Sequence, residues 1–282
     1  MKKISFVSLI IVFLAALFWS CEKNGNPPSL PPSETMTIDF SNFTTGKKSA
    51  TIDFQTKGIA TVSNNNWLLA STTAGFWNII LTVNLAIPVA AFKKALDNNP
   101  VYIDDKKWEW KYSVNVIGAV YYARLTGQIQ SNDIKWEMYV SRDGVGAFAE
   151  LLWFYGTSAL DGKSGQWILN HSQQFPESML QIDWTLNGTS IGGIKYTYIR
   201  ELKDNRTTDL FKTSYIEYGL TTNTLNAFYN IHYNISSTIN DFKDVLIEWS
   251  TTNHNGHIKA AHYFQDNNWH CWDGTGNDVT CN

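Results

Sequence analysis

Three carboxylates stand next to tryptophans in separate stretches of the chain and are the first candidates for acid–base chemistry. They are Glu109, Glu137 and Asp183. A pair of carboxylates can hydrolyse a glycosidic bond when the two groups lie about 5–10 Å apart. Because neighbouring side chains on a strand point to opposite faces, each carboxylate falls on the face that its Trp avoids, where a charge faces solvent. The sequence therefore favours a surface role, with a hydrolase as an alternative.

Four histidines crowd the C-terminal end of the chain, namely His254, His257, His262 and His270. A metal site requires ligands that converge on one point. His257 and His262 are an odd number of residues apart, so on one straight strand they would face opposite ways. The run Gly162-Lys163-Ser164 lacks the upstream glycine of a phosphate-binding loop. We therefore predict no metal and no other cofactor, and we favour a binding protein over an enzyme.

The N-terminus combines a basic start with an apolar run and a cysteine. Met1-Lys2-Lys3 precedes the uncharged stretch 4–19, which at 16 residues is shorter than the about 20 residues that cross a bilayer. This anatomy predicts a secretory signal peptide over residues 1–20. The end of the run, Leu17-Phe18-Trp19-Ser20-Cys21, resembles the lipobox of bacterial lipoproteins, although the bulky Phe18 and Trp19 depart from its small residues. The resemblance implies that Cys21 is lipidated; the alternative is cleavage elsewhere, which leaves Cys21 a free thiol.

The next stretch predicts how the anchor joins the folded part. Residues 22–34 contain four prolines and almost nothing to bury, so we predict a Pro-rich tether over residues 21–35 and a single β-rich domain over residues 36–282. The whole resembles the uncharacterised lipoproteins of Gram-negative envelopes. That resemblance implies an outer-membrane protein held by acyl chains such as palmitate, either periplasmic or surface-exposed.

The two remaining cysteines are close in sequence. If Cys21 carries the lipid, Cys271 and Cys281 are the only pair left. Disulfides form in the oxidising compartment to which the signal directs the chain. We therefore predict a disulfide between Cys271 and Cys281 that fixes the C-terminus.

A two-residue alternation organises the chain after Lys106. From Trp108 to Val116 every second residue is apolar, and the pattern returns at 134–140 and 180–186. Turn signals such as Asn187-Gly188 separate the runs, and no helix-length segment intervenes. The sequence predicts about eleven antiparallel strands in an up-and-down meander that curls into a barrel or half-barrel. This resembles lipocalin-like and periplasmic lipoprotein-carrier architectures.

The residues before Lys106 predict a hairpin and a helix. Two alternating runs, Met36–Phe40 and Ala50–Phe54, suggest a hairpin or two edge strands. A helix over about 67–97 follows, capped within Asn64-Asn65-Asn66 and kinked at Pro88. It carries no charge from Trp67 to Phe92, so it is either a core helix on the sheet or, as the alternative, a helix in lipid.

The aromatic residues decide between functions. We predict that Trp108, Trp110, Trp136 and Trp184 lie in the core; aromatics on a concave wall would instead line an apolar cavity, and aromatics on loops would stack on sugars. The sequence favours a non-catalytic, membrane-anchored envelope lipoprotein that binds an apolar or amphipathic, lipid-like ligand. A glycan-binding surface lipoprotein, a structural envelope protein and a hydrolase are the alternatives. The formal net charge is −3 without a block of like charge, so no nucleic-acid partner is predicted.

Overall fold

Fourteen antiparallel strands follow one another in a single sheet. The structure, a computed structural model, describes residues 25–38, 40–44 and 65–281, and of residues 42 and 44 only the backbone. The strands are β1 Val101–Asp104, β2 Lys107–Val116, β3 Ala119–Ile129, β4 Asp133–Arg142, β5 Phe148–Ala159, β6 Ser164–Asn170, β7 Ser178–Asn187, β8 Ser190–Tyr198, β9 Tyr215–Leu220, β10 Ala227–Asn234, β11 Phe242–Trp249, β12 Gly256–Lys259, β13 His270–Trp272 and β14 Asp278–Val279.

Each strand pairs with the next one in the chain, which confirms the up-and-down meander. The number of strands is higher than the predicted eleven, because β1 and the short C-terminal strands β12–β14 carry too few residues for a periodicity to be recognised. The sheet is not closed: β1 pairs only with β2, and β14 only with β13. The open half-barrel is therefore the correct alternative, and the closed barrel is wrong.

The alternation on β2 holds as predicted. Trp108 and Trp110 lie on one face and are 4% and 3% exposed, and Trp136 and Trp184 are buried as well. Since side chains two residues apart share a face, a register error of one residue would have exposed all of them. The buried face of the sheet therefore carries the tryptophans and forms the core.

Glycines on neighbouring strands make room for these indoles. Strand pairing aligns Trp108, Gly127, Trp136, Gly156 and Trp167 across β2–β6. We call this alternation of large and absent side chains the tryptophan–glycine row. A Cβ built on Gly127 would lie 2.5 Å from the Trp136 ring, so the indole lies directly over the glycine backbone. The row lets large side chains pack closely on the inner face of a curved sheet.

One long helix, Asn66–Ala95, packs on this inner face. The Asn65 side chain accepts a hydrogen bond from the Leu68 N–H at 2.7 Å and caps the helix as predicted. The helix continues through Pro88 without interruption. It touches β2 and β3 near one end of the sheet and β12 and β13 near the other. The sheet must therefore curve around the helix.

The helix is long and apolar enough to cross a membrane by length and composition, and it is the single such helix among the described residues. Its inner side, however, is packed against the sheet and the N-terminal segment, with Trp77, Leu81, Leu85 and Phe92 all buried. Phe92 contacts Phe154 and Trp167 edge to face. On this side the helix therefore forms part of the core.

The N-terminal segment differs from the predicted hairpin. A 3-10 turn spans Ser33–Met36 and a short helix spans Ser41–Thr44, so Met36–Phe40 is not a strand. Its apolar residues pack on the sheet instead of pairing with it: Met36 is fully buried, and Phe40 lies against Tyr229. The second predicted run, Ala50–Phe54, lies outside the described residues.

Burial begins earlier in the chain than the predicted end of the tether at residue 35. Pro28 and Pro31 are buried, and a Cβ on Gly127 would meet the Pro28 ring at 3.1 Å. The Trp167 indole N–H donates to the Thr35 hydroxyl at 3.1 Å in the core. A free tether therefore ends before Pro28, because the rings and hydroxyl that follow have partners on the sheet. Cys21 and the signal sequence lie outside the described residues.

The sulfur atoms of Cys271 and Cys281 lie 2.08 Å apart, at the distance of a disulfide, in agreement with the predicted pair. Cys271 is on β13, and Cys281 follows β14. The link fixes the C-terminal end beside the start of the long helix, where the Asn66 side chain donates to the Cys271 carbonyl at 2.9 Å.

Candidate functional site

Glu109 and Glu137 lie on opposite sides of β3. Both pair with Thr126, so their Cα atoms are two strand spacings apart, about 9.5 Å. Glu137 accepts from Lys135 at 2.8 Å and lies 3.8 Å from Lys107. Partial burial by itself would raise the pKa of the Glu137 carboxyl, but the hydrogen bond from Lys135 and the charges of both lysines lower it. A general acid needs a raised pKa, so Glu137 is poorly suited to act as the acid of a glycosidase.

The third carboxylate, Asp183, belongs to β7 and is not brought together with the other two. Its oxygens accept from the side-chain amides of Gln166 and Gln181, each at 2.7 Å. The carboxylates therefore form separate polar contacts on the outer face of the sheet, as the surface interpretation predicted.

The C-terminal histidines pair with neighbours one by one. His257 bonds to Glu248 at 2.8 Å and stacks on Trp269. His270 bonds to Asp266 at 3.1 Å and stacks on Phe264. No group of three potential metal ligands occurs in the part of the chain that the structure describes.

His262 is partly buried. Burial and the charge of Lys243 lower the pKa of its imidazole. It lies edge to face with Tyr233 and forms no site with the other histidines.

A row of rings crosses the outer face of the sheet from β8 to β11. Lys195 lies over the Tyr215 ring at 3.8 Å, Tyr215 stacks on His232, and His232 stacks on Phe242 with centroids 4.7 Å apart. Stacked side by side across strands, these rings cover one another's faces. Sugars bind aromatic residues through free ring faces, so this row is poorly suited to capture a glycan.

The inner face of the sheet is filled. Its largest side chains, among them Trp136, Trp167, Trp184, Trp249 and Trp272, are buried. They pack against the long helix and the N-terminal segment, and Phe43 reaches Trp249 with ring centroids 5.0 Å apart. The aromatic-lined cavity that the sequence left open is therefore occupied by the protein's own helix.

An apolar groove lies instead between the long helix and Thr37, Ile38 and Phe40. It has a volume of about 360 Å³, and we call it the helix groove. Its walls are mostly apolar. The lining residues that belong to the helix begin at the polar Asn78 and end at the charged Lys93. The lining residues are Thr37, Ile38, Phe40, Asn78, Leu81, Thr82, Leu85, Ala86, Val89, Ala90 and Lys93.

The outer side of the helix extends the apolar surface of the groove. Ile79, Val83, Ala86 and Ala90 recur at spacings of four, three and four residues, which places them on one helical face. Ile79 is 59% and Val83 73% exposed. A helix that folds on a sheet ordinarily turns polar residues to the outside. This helix is apolar on its outer side as well, so the outer side has a surface suited to binding.

A second depression, of about 570 Å³, lies at the β3–β4 turn and is wide open. Its walls are mostly polar and include Asp105, Gln128 and Asp133, and the Gln128 amide donates to Asp105. It offers a ligand little apolar surface, whereas binding sites for small molecules are mostly apolar with a few polar groups. The helix groove is therefore the better candidate site.

Sequence reasoning identified the helix but not the groove. The signal was the uncharged run from Trp67 to Phe92, which we interpreted only as core or membrane. The sequence does not reveal the opposite wall, because the alternation in Met36–Phe40 predicts a hairpin or edge strand and so places Ile38 at the edge of a sheet.

No known protein similar to this chain suggests a role for the groove. Neither a protein-family model, a curated protein nor a solved structure matches this chain.

Proposed function

We propose that this chain is a membrane-anchored envelope lipoprotein that binds an apolar or amphipathic ligand in the helix groove. The observation that carries the proposal is the groove itself: an apolar wall that includes the partly exposed Ala86, Val89 and Ala90 borders, together with Ile38, an open volume of about 360 Å³. This volume is at the lower end of the about 300–1,000 Å³ range of ligand sites. Burial of an acyl chain there would contribute about 0.8 kcal/mol for each CH₂ group.

The anchor in this proposal is Cys21, placed in the outer membrane by the signal sequence. Pro28 is packed on β3 beside Gly127, so the first buried position among the described residues lies seven positions after Cys21. At most about 25 Å of extended chain then joins the lipid to the domain. The proposal therefore keeps the domain close to the bilayer, where an amphipathic ligand is available.

Metabolic labelling with an acyl analogue tests the anchor. We expect the wild-type chain to take up the label and the Cys21→Ala variant to lose it. Equal labelling of the two chains would show that Cys21 is not the lipidated residue.

Native mass spectrometry of the Cys21→Ala chain, purified from its host, tests the ligand. We expect a bound lipid-like molecule in this chain and its loss when Ala90→Trp fills the groove. Val145→Trp is the matched control, because Val145 is 90% exposed on the β4–β5 loop. The proposal fails if no lipid copurifies and a glycan array shows selective binding, or if Ala90→Trp retains the ligand as well as the control does.

A further inference from the structure

The helix groove has one charged residue among its described lining side chains, and that residue stands at one end. The helical stripe of the groove begins at Asn78 and ends at Lys93. At 1.5 Å per residue these positions are about 22 Å apart along the helix axis. At the Asn78 end the polar groups satisfy each other, since the Thr82 hydroxyl bonds to the Asn78 side chain at 3.2 Å. The charge of the groove is therefore concentrated at its Lys93 end.

Lys93 and its neighbour Lys94 differ in a way that bears on binding. Lys94 forms an ion pair with Asp97 at 3.2 Å and does not line the groove. Lys93 lines the groove and has no carboxylate partner within the described part of the chain. An ammonium group at the end of an apolar channel complements an anion attached to an apolar chain.

We propose that the ligand of the helix groove is a single-chain amphiphile with an anionic head, of the fatty-acid class. Its head binds the Lys93 ammonium, and its tail lies along Val89, Ala86 and Leu85. This inference rests on the proposed function and adds the charge and the direction of the ligand. The small volume favours one chain, because a two-chain lipid would have to leave its second chain in water.

Binding of two probes of equal chain length tests the head group. The probes are dodecanoate and dodecyltrimethylammonium, titrated below their micelle concentrations into the Cys21→Ala chain. We expect dodecanoate to bind more tightly than the cationic probe. Lys93→Met should weaken dodecanoate binding about fivefold, as expected for an exposed charge pair, and should not weaken binding of the cation. Lys94→Met, the matched control, should change neither.

A groove-filling variant distinguishes binding in the helix groove from recognition of the anionic head by Lys93. Ala90→Trp should abolish binding of both probes while unfolding at the wild-type temperature. If Ala90→Trp blocks binding but Lys93→Met and Lys94→Met behave alike, or if the cationic probe binds more tightly, the head-group inference is wrong and the groove function stands. If neither probe binds, or if Ala90→Trp leaves binding of both unchanged, the groove function itself is wrong and the head-group inference falls with it.

Discussion

Replacing Gly156 with alanine should destabilise the protein far more than the addition of one methyl group suggests. Gly156 lies in the tryptophan–glycine row, where β5 pairs with β6. A Cβ at this position would lie 2.0 Å from the Gln166 carbonyl oxygen and 2.8 Å from the Trp167 ring. The carbonyl belongs to the backbone of the paired strand, so no rotamer change can move it away. The strands must separate, and we expect a loss of about 3 kcal/mol, at the upper end of the cost of overpacking.

The same substitution at two other glycines provides matched controls. Gly193 is also in a strand, but a Cβ added there would have the Thr185 hydroxyl oxygen as its nearest neighbour, 3.5 Å away. Gly193→Ala should therefore change the free energy of unfolding by less than about 0.5 kcal/mol. Gly75 lies in the long helix with nothing within 4 Å of the added Cβ. Gly75→Ala should stabilise by up to about 1 kcal/mol, since alanine favours the helix over glycine.

Urea denaturation of the purified Cys21→Ala chain and its three alanine variants measures these differences as free energies of unfolding. The expected order of stability is Gly75→Ala, parent, Gly193→Ala, Gly156→Ala. A Gly156→Ala variant within about 0.5 kcal/mol of Gly193→Ala would refute the argument that close strand packing in the row requires the absence of a side chain.

Three further substitutions test separate contacts. Replacing Cys271 and Cys281 together with serine should cost about 3 kcal/mol by the chain-entropy argument for so short a loop, and wild-type protein purified without reductant should show no free thiol at either position by mass spectrometry. Thr35→Val leaves the buried Trp167 N–H without an acceptor and should lower the free energy of unfolding by about 1–3 kcal/mol, whereas an unchanged midpoint would mean that residues 28–36 do not pack as described. Hydrogen bonds from Thr275 and Asn277 hold the pKa of Asp273 at about 2, below its usual 3.8, so its stabilising contribution is present above pH 3.8 and is lost as the pH falls towards 2. Asp273→Asn should flatten that acid limb of the stability profile, and an equally steep limb would contradict the assignment.

The sheet can be predicted from the sequence because alternation and turn residues are local signals. Alternation from Trp108 to Val116 defines which face of β2 is buried, and turn residues such as Asn187-Gly188 define where strands reverse. Short connections then allow only antiparallel neighbours. Nothing local distinguishes an open from a closed sheet, since closure depends on whether β1 meets β14 at the far ends of the chain.

The N-terminal segment could not be predicted for the opposite reason. The packing of Thr35 depends on Trp167, 132 residues away, and that of Pro28 depends on a glycine in β3. A Pro-rich stretch with a single leucine is typical of a tether, and only the fold shows that Gly127 leaves space for a proline ring. The helix groove was hidden by the same long-range packing, because one of its walls is this segment.

The packing of the inner face also restricts where function can lie. With indoles laid over Gly127 and Gly156 and the long helix against them, the concave side of the sheet has its partner within the chain. The outer side of that helix has no partner among the described residues: the exposed parts of Ile79 and Val83 add nothing to folding, because hydrophobic stabilisation comes from apolar area that is removed from water. A helix that served the fold alone would gain solubility from polar residues at these positions. The apolar residues beyond those that the sheet requires, beside a groove that ends at Lys93, are therefore the feature that the packing of the described residues does not explain and that the proposed ligand would cover.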